Sequence, residues 1–353
     1  MSIFDDGDPL NLSDCDELNA YLARDTAAPS LPTAAEYGRL DVRSIEALNA
    51  DRLDFVRTRM TVSARAVKET LKKTKRAMWL NQGVASGRKG VIVTGRATTG
   101  KTTSCLAAMR AVWFGFQAAH PDSWSRATPV AYVTVPPDCT RKGLMRRFAD
   151  FYQVDYGERT SADELRQLVV EEMRVRHTML TAVDEMQNLS VERDKSGTIS
   201  VDTLKDLANS PYSTYLYAGA EVKQLGLLSG PRGQQLAGRC AKVVTTPYRF
   251  ATTADRAEWR ELVTGFANAL PLVANKPSEL VRLAPWLHKV TAGSISTLHM
   301  MLAQGVLAVV ERDDPERETL TRDVLEDVVL DGLAEERVRH TEDPFDLGEE
   351  EGA

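Results

Sequence analysis

The segment Gly95-Arg-Ala-Thr-Thr-Gly-Lys-Thr102 constrains the fold most, because it has the pattern G-x4-G-K-[ST]. An apolar run at residues 90–94 precedes it, and a helical pattern over 101–118 follows it. A loop of this kind curls its backbone N–H groups around a phosphate, and its two glycines allow the close approach that this requires. The N-terminus of the following helix adds a partial positive charge at the same place. The sequence therefore predicts a buried strand, a phosphate-binding loop and a helix in direct succession.

The same loop contains the predicted contacts to a nucleotide. Lys101 would reach the β- and γ-phosphates of ATP as a catalytic cation, and the Thr102 hydroxyl would bind Mg2+. The other predicted nucleotide contacts are the neighbouring loop residues Gly95, Arg96, Ala97, Thr98, Thr99, Gly100 and Thr103. A chance occurrence of the pattern is the alternative, and the flanking strand and helix argue against it.

A second acidic element follows the apolar run Met179-Leu-Thr-Ala-Val183. Magnesium held by one hydroxyl and phosphate oxygens needs a further carboxylate, which a neighbouring strand can provide at its end. Asp184 is the predicted carboxylate for the metal, and Glu185 is the predicted general base that polarises the attacking water. Two solvated acids at a strand end are the alternative, so the prediction depends on the combination with the loop.

Strands and helices alternate through the middle of the chain. The predicted strands are residues 90–94, 129–135, 179–183, 213–218 and 241–245, and the predicted helices between them are 101–118, 140–153, 161–176 and 200–209. Ser161 and Glu164 have the spacing of a capping box at the start of one helix. This alternation predicts an α/β fold with a parallel sheet covered on both faces.

The flanking segments have other patterns. We predict an acidic, flexible arm at 1–43 with a short helix near 14–24, and a basic helical extension at 44–89. The P-loop core would occupy 90–250. Helical patterns at 253–268, 277–289, 293–311 and 320–338 predict an all-helical lid over 251–338, followed by an acidic tail at 339–353.

Charge is distributed unevenly along the chain. Residues 1–50 have a net charge of −7 and residues 311–353 a net charge of −12, whereas the whole chain has −6. The remaining residues, 51–310, are therefore basic, and their densest basic stretch runs from Arg57 to Lys89. A basic body can bind a polyanion, although a solvated helix face is the alternative.

Cysteine usage and hydropathy indicate a reducing environment. The four cysteines are far apart and form no CxxC pair, so neither a zinc site nor a disulfide framework is predicted. No apolar run approaches the length of a membrane span, and the N-terminus has no signal-peptide pattern. We expect a cytoplasmic protein with no membrane partner.

These motifs resemble those of the AAA+ ATPases and, within them, the TniB/TnsC/MuB-like regulators of DNA transposition. The resemblance covers about residues 40–305. The segments that carry it are the phosphate loop with Thr103, Tyr132-Val-Thr-Val-Pro-Pro137, Val183-Asp-Glu-Met-Gln-Asn-Leu189, Tyr215-Leu-Tyr-Ala-Gly-Ala-Glu221 and Gly233-Gln-Gln-Leu-Ala-Gly-Arg-Cys240. It implies a P-loop NTPase (AAA+) three-layer parallel sheet with a basic helical N-terminal extension and an all-helical C-terminal lid.

The resemblance also implies function. Arg239 would be an arginine finger that reaches ATP bound by a neighbouring subunit, with Arg232 as the second choice and an arginine paired within its own subunit as the alternative. ATP and Mg2+ would be the cofactors of an ATP hydrolase. A homo-oligomeric ring or filament would assemble on duplex DNA, largely without sequence preference, and recruit or activate a transposase or another recombination partner.

The sequence departs from the wider family in two places, and two other functions stay open. The strand at 213–218 has no Asn or Thr at its tip, unless Tyr217 or Thr214 takes that role, and no arginine occurs in Gly293-Ser-Ile-Ser-Thr297. The alternatives are a signalling or antiviral-defence ATPase without a DNA role and a helicase-loader-like ATPase.

Overall fold

The chain divides into two units, each of which is described by itself. The computed structural model describes residues 11–189, 204, 206–209, 212–220 and 237–328. The sheet unit contains the described residues of 11–24 and 64–246, and the helical unit contains 25–63 and 247–328.

A five-stranded sheet forms the centre of the sheet unit. Its strands are β1 Gly90–Gly95, β2 Val130–Thr134, β3 Leu180–Asp184, β4 Thr214–Gly219 and β5 Cys240–Thr245. The strand order is β2-β3-β4-β1-β5, and all neighbouring pairs are parallel. The predicted parallel α/β sheet is therefore confirmed, with strand ends within one residue of the prediction.

Burial along the strands shows that both faces of the sheet are covered. Successive side chains of a strand point to opposite faces, yet every residue of β3 and β4 is buried, as are the first five residues of β1. Strands buried on both faces are typical of a parallel sheet between helical layers. At the edge strand β5, by contrast, Ala241, Lys242 and Val244 are exposed.

The helices begin and end close to the predicted positions in most cases. They are α1 Cys15–Ala23, α2 Ala34–Tyr37, α3 Val42–Asp54, α4 Arg65–Leu80, α5 Lys101–Ala119, α6 Arg141–Phe151, α7 Ala162–Val175, α8 Thr253–Ala269, α9 Pro277–Arg282, α10 Ala284–Thr291, α11 Ile295–Val310 and α12 Arg322–Glu326. A π-helical turn, Phe55–Arg59, continues α3. The capping box of α7 is present, with the Ser161 hydroxyl accepting from the Glu164 N–H and the Glu164 carboxylate accepting from the Ser161 N–H.

One predicted helix is divided in the structure, and parts of three other predicted segments lie outside the described residues. The helix predicted at 277–289 is divided into α9 and α10, because Pro285 in the first turn of α10 cannot continue a helix from before it. The helix predicted at 320–338 is seen as α12, and its residues 329–338 lie outside the described part, as does the acidic tail. Of the helix predicted at 200–209, residues 204 and 206–208 are described as helical.

The prediction of a flexible arm at 1–43 is wrong for the residues that the structure describes. Helix α1 packs against β2 and α5, and its Cys15, Leu18 and Leu22 are fully buried. These three side chains have helical spacing and form one apolar face. The short helix predicted near 14–24 is therefore present as α1, whereas the acidic composition of the segment did not indicate that this helix packs into the sheet unit.

The predicted extension at 44–89 is helical, but its two helices belong to different units. Helix α3 belongs to the helical unit, and α4 belongs to the sheet unit, where it packs against α5, β1 and β5. The physical reason is a buried ion pair in the helical unit, in which Arg52 of α3 binds Glu318 at 2.6 Å with both side chains fully buried. The helical lid therefore includes residues 25–63 as well as the predicted C-terminal helices.

None of the described helices is by itself long and apolar enough to cross a membrane, although α10 and α11 meet the length and composition required when taken together, with a bend of 114° between them.

Candidate functional site

The predicted phosphate loop joins the end of β1 to the start of α5. A side chain at Gly95 would overlap the carbonyl and hydroxyl oxygens of Thr245 on β5, so only glycine fits there. Gly100 has a φ of 82° and Thr98 a φ of 61°, which is the left-handed region. A β-branched residue rarely adopts this conformation, so the backbone of Thr98 is strained in the loop.

The loop is tied to the neighbouring edge strand by threonine hydroxyls. Thr99 Oγ1 donates to the Arg96 carbonyl at 2.7 Å and lies 2.6 Å from Thr245 Oγ1. Both threonines are buried, Thr99 with 5% and Thr245 with 2% exposure. The last residue of β5 therefore helps to shape the turn around the phosphate position.

Lys101 is half-buried at the start of α5. Its Nζ donates to the Arg96 carbonyl at 2.8 Å, across the predicted phosphate-binding turn. Burial lowers the pKa of Lys101, while the nearby carboxylates of Glu185 and Asp184 act in the opposite direction. The ammonium group is thus held close to both acidic residues and to the loop.

Asp184 ends β3 with its carboxylate almost fully enclosed. The residue is 2% exposed. Its Oδ2 accepts from Thr102 Oγ1 at 2.8 Å and from Tyr132 OH at 2.7 Å, and its Oδ1 accepts from the Glu185 N–H at 2.7 Å. The structure therefore brings together the two predicted metal ligands, which lie 82 residues apart in the sequence.

The donor set of Thr102 and Asp184 fits a magnesium ion. One hydroxyl oxygen and one carboxylate oxygen lie 2.8 Å apart, and both are hard oxygen ligands of the kind that Mg2+ prefers. Mg2+ usually keeps several waters and binds few protein oxygens, so two ligands beside a phosphate-binding loop suffice.

Glu185 leaves the strand in a direction different from that of Asp184. Its φ of 58° is left-handed and turns the chain into a short 3-10 helix, Met186–Asn188. The Gln187 side-chain amide donates to the Glu185 carboxylate, and its carbonyl oxygen accepts from the Ala220 N–H at 2.9 Å. One amide thus connects the predicted base to the residue that follows β4.

Arg239 lies at the other end of the sheet from the phosphate loop. It directly precedes β5, whose first residue, Cys240, is in register with Gly90 at the amino end of β1. The loop follows Gly95 at the carboxyl end, so about six strand residues, roughly 17–20 Å, separate the two positions. The Arg239 guanidinium donates to Asn209 Oδ1 at 3.0 Å. Arg239 therefore cannot reach the phosphate loop of its own chain, and Arg232 lies outside the described residues.

Comparisons with known proteins bear on the fold of the chain. Residues 84–233 match the family model described as AAA domain. The structure is similar to the ORC2 protein of Aeropyrum pernix in its ADPNP–ADP complexes, with a TM-score of 0.51 and 14% identity over 86% of this chain and 69% of that chain. The protein has the AAA+ fold. The ADP form of the same ORC2 protein gives a TM-score of 0.53 and 16% identity over 72% of this chain and 66% of that chain.

The AAA+ likeness is a likeness of fold, since both identities are low. This chain spans about two thirds of the length of those solved chains. No curated protein sequence matches it.

Three residues that contact the predicted site residues were not predicted from the sequence: Tyr132, Gln187 and Thr245. Tyr132 and Gln187 lie in segments that carry the family resemblance, which was the available signal. Their contacts to Asp184 and Glu185 depend on strand order and on a left-handed turn, which the local sequence does not reveal. Neither Tyr217 nor Thr214 is at the carboxyl end of β4, because the strand begins at Thr214 and ends at Gly219. At that end the Gln187 side chain accepts from the Ala220 N–H.

Proposed function

We propose that the protein is a magnesium-dependent ATPase that acts on DNA. The observation that carries this proposal is the hydrogen bond between Thr102 of the phosphate loop and Asp184, with Glu185 next in the chain and Lys101 close to both acids. In this arrangement the loop amides and Lys101 would bind the phosphates. Thr102 and Asp184 would hold the metal, which supplies charge neutralisation at the phosphates. Glu185 would take the proton of the attacking water.

Substitution of Lys101 tests the ATPase proposal. Lys101→Ala should abolish ATP binding or turnover, because the β- and γ-phosphates lose their cation. Steady-state phosphate release and ATP titration measure the two effects. Lys289→Ala is the matched control, since this lysine is exposed on α10, which belongs to the helical unit and not to the sheet unit that contains the phosphate loop. ATPase activity at the parental level in Lys101→Ala would sink the proposal.

The proposed DNA contact is the exposed basic face of α4. Lys72, Lys75 and Arg76 are exposed along this helix, whereas Lys73 turns inward and binds Glu69 and the carbonyl of Lys242. Exposed cations at this spacing would contact phosphates of a duplex and would read little sequence. A surface of this kind also supports the assembly on DNA that we propose.

Charge reversal of this face tests the DNA role. Replacing Lys72, Lys75 and Arg76 with Glu should weaken duplex binding. It should also make the slope of log K against log salt concentration less steep by roughly 2–3, since each lost phosphate contact contributes about 0.9 to that slope. The matched control reverses three exposed bases of the helical unit, Arg249, Lys289 and Arg312, and so makes the same change in net charge. Equal salt slopes for both triple variants would mean that the α4 face is only solvated.

We further propose that the biological role is regulation of DNA transposition, in which ATP-dependent assembly on DNA recruits or activates a transposase. The support is the resemblance of the segments 132–137, 183–189, 215–221 and 233–240 to TniB/TnsC/MuB-like regulators. A helicase-loader-like role is the second candidate, because the phosphate loop and the acidic pair Asp184 and Glu185 are motifs that such loaders share. Stimulation of the ATPase by duplex DNA, followed by pull-down of an integrase-like transposase or of a replicative helicase, separates these roles. An ATPase rate that duplex DNA does not change would favour a signalling function.

A further inference from the structure

The carboxylate of Asp184 has three hydrogen-bond donors, and one of them lies neither in the phosphate loop nor next to Asp184 in the chain. Thr102 is in the loop, and the Glu185 N–H is the next residue of the chain. The third donor is the hydroxyl of Tyr132 on the neighbouring strand β2, at 2.7 Å from Oδ2. Asp184 and Tyr132 are 2% and 5% exposed, so water does not substitute for this contact.

The strand register explains why a tyrosine is needed at position 132. Tyr132 pairs with Ala182 and Thr134 pairs with Asp184, so Tyr132 lies two residues behind the carboxylate on the same face of the sheet. Two residues of a strand span roughly 6.6 Å, a distance that a phenol ring covers and a shorter side chain does not.

We propose that Tyr132 is a positioning residue that holds the Asp184 carboxylate against the Thr102 hydroxyl and thereby sets how strongly Mg2+ tightens nucleotide binding. This inference rests on the proposed function of Thr102 and Asp184 as the metal ligands. The Tyr132 hydroxyl meets Asp184 and the Thr134 side chain, and in the hydrogen bonds described it touches neither the phosphate loop's backbone nor Glu185. Its effect on the site therefore passes through Asp184.

The test compares the affinity for ADPNP in excess Mg2+ and in EDTA by calorimetric titration, which needs no turnover. In Tyr132→Phe the affinity in EDTA should equal that of the parent, because the loop amides and Lys101 are unchanged. The tightening by Mg2+ should fall roughly tenfold, the size expected for one lost hydrogen bond to a charged group. A purely structural role would instead weaken binding equally in both solutions.

Tyr217→Phe is the matched control. Tyr217 is equally buried in the same sheet, on β4, and its hydroxyl has no hydrogen-bond partner within the part of the chain that the structure describes. This variant should keep the full response to Mg2+. Thermal unfolding of both variants without nucleotide reports any loss of stability separately.

A double-mutant cycle with Asp184→Asn shows whether Tyr132 acts through this carboxylate. The double variant Tyr132→Phe/Asp184→Asn should respond to Mg2+ no less than Asp184→Asn alone, since the two changes remove the same contact. Additive losses would overturn the inference, as would a full Mg2+ response in Tyr132→Phe. A parent protein with the same affinity in Mg2+ and in EDTA would overturn the proposed metal site, and this inference with it.

Discussion

Two adjacent carboxylates at the end of β3 have different surroundings. Asp184 is enclosed by three donors, whereas Glu185 is half-buried and held by the amide of Gln187. The left-handed φ of Glu185 separates them, because it ends the strand and turns the second side chain away from the first. Neighbouring acids in different environments can take different roles, one toward a metal and one toward a proton.

At this scale we expect Gln187 to position the proposed base. Gln187→Leu should lower kcat for ATP about tenfold with KM nearly unchanged, because the Glu185 carboxylate loses its hydrogen-bond donor while the phosphate contacts stay in place. Steady-state kinetics measure this split. Glu185→Gln removes the proposed base itself and should give the lowest kcat, because ATP still binds but is not hydrolysed.

Gln167→Leu is the control for the loss of an amide, since Gln167 is exposed on α7. A parental kcat in Gln187→Leu would show that Glu185 needs no such contact. A rise in KM alone would place the effect in nucleotide binding.

Helix α3 shows how one buried contact can determine the unit to which a segment belongs. Its Arg52 binds Glu318 through two guanidinium nitrogens, at 2.6 and 3.1 Å, and Glu318 Oε2 also accepts from the Val273 N–H at 2.9 Å. Arg52 and Glu318 are fully buried. A buried pair of this kind tolerates the loss of one partner poorly, since the other charge is then left without compensation.

We therefore expect Arg52→Met to destabilise the helical unit by about 3–5 kcal/mol. Urea denaturation followed by circular dichroism measures the free energy of unfolding. The double variant Arg52→Met/Glu318→Leu should recover much of the loss, because neither buried charge remains. Equal stability of Arg52→Met and the parent would contradict a structural role for the pair, and a further loss in the double variant would do the same.

For the whole molecule, the position of Arg239 decides how it can act. It lies at the amino end of β5, whereas the phosphate loop follows the carboxyl end of β1. An arginine there can contribute to hydrolysis only at the site of another subunit. Otherwise its role, among the residues that the structure describes, is the hydrogen bond to Asn209.

Mixing two inactive variants distinguishes these roles. Arg239→Ala should leave ATP binding by single protomers nearly intact but reduce turnover by roughly 10³–10⁵ if the arginine completes a neighbour's site. Assemblies of Arg239→Ala with Lys101→Ala should regain activity, because some interfaces combine an intact loop with an intact arginine. Phosphate release after mixing measures the recovery.

The matched control replaces Arg239→Ala in the mixture with the double variant Lys101→Ala/Arg239→Ala. No interface in that mixture combines an intact loop with an intact arginine, so activity should stay absent. If the first mixture also stays inactive although the proteins co-assemble, Arg239 is a structural residue.

The sequence by itself determined the features that depend on neighbours along the chain. The phosphate loop, the alternation of strands and helices and the capping box of α7 are all patterns within a few residues, so local spacing predicts them. The tertiary structure decided which distant residues meet. Tyr132 contacts Asp184 across 52 residues, Gln187 contacts Ala220 across 33, and Arg52 contacts Glu318 across 266. These contacts follow from strand order and from the packing of α3 in the helical unit, and neither property is contained in any local pattern.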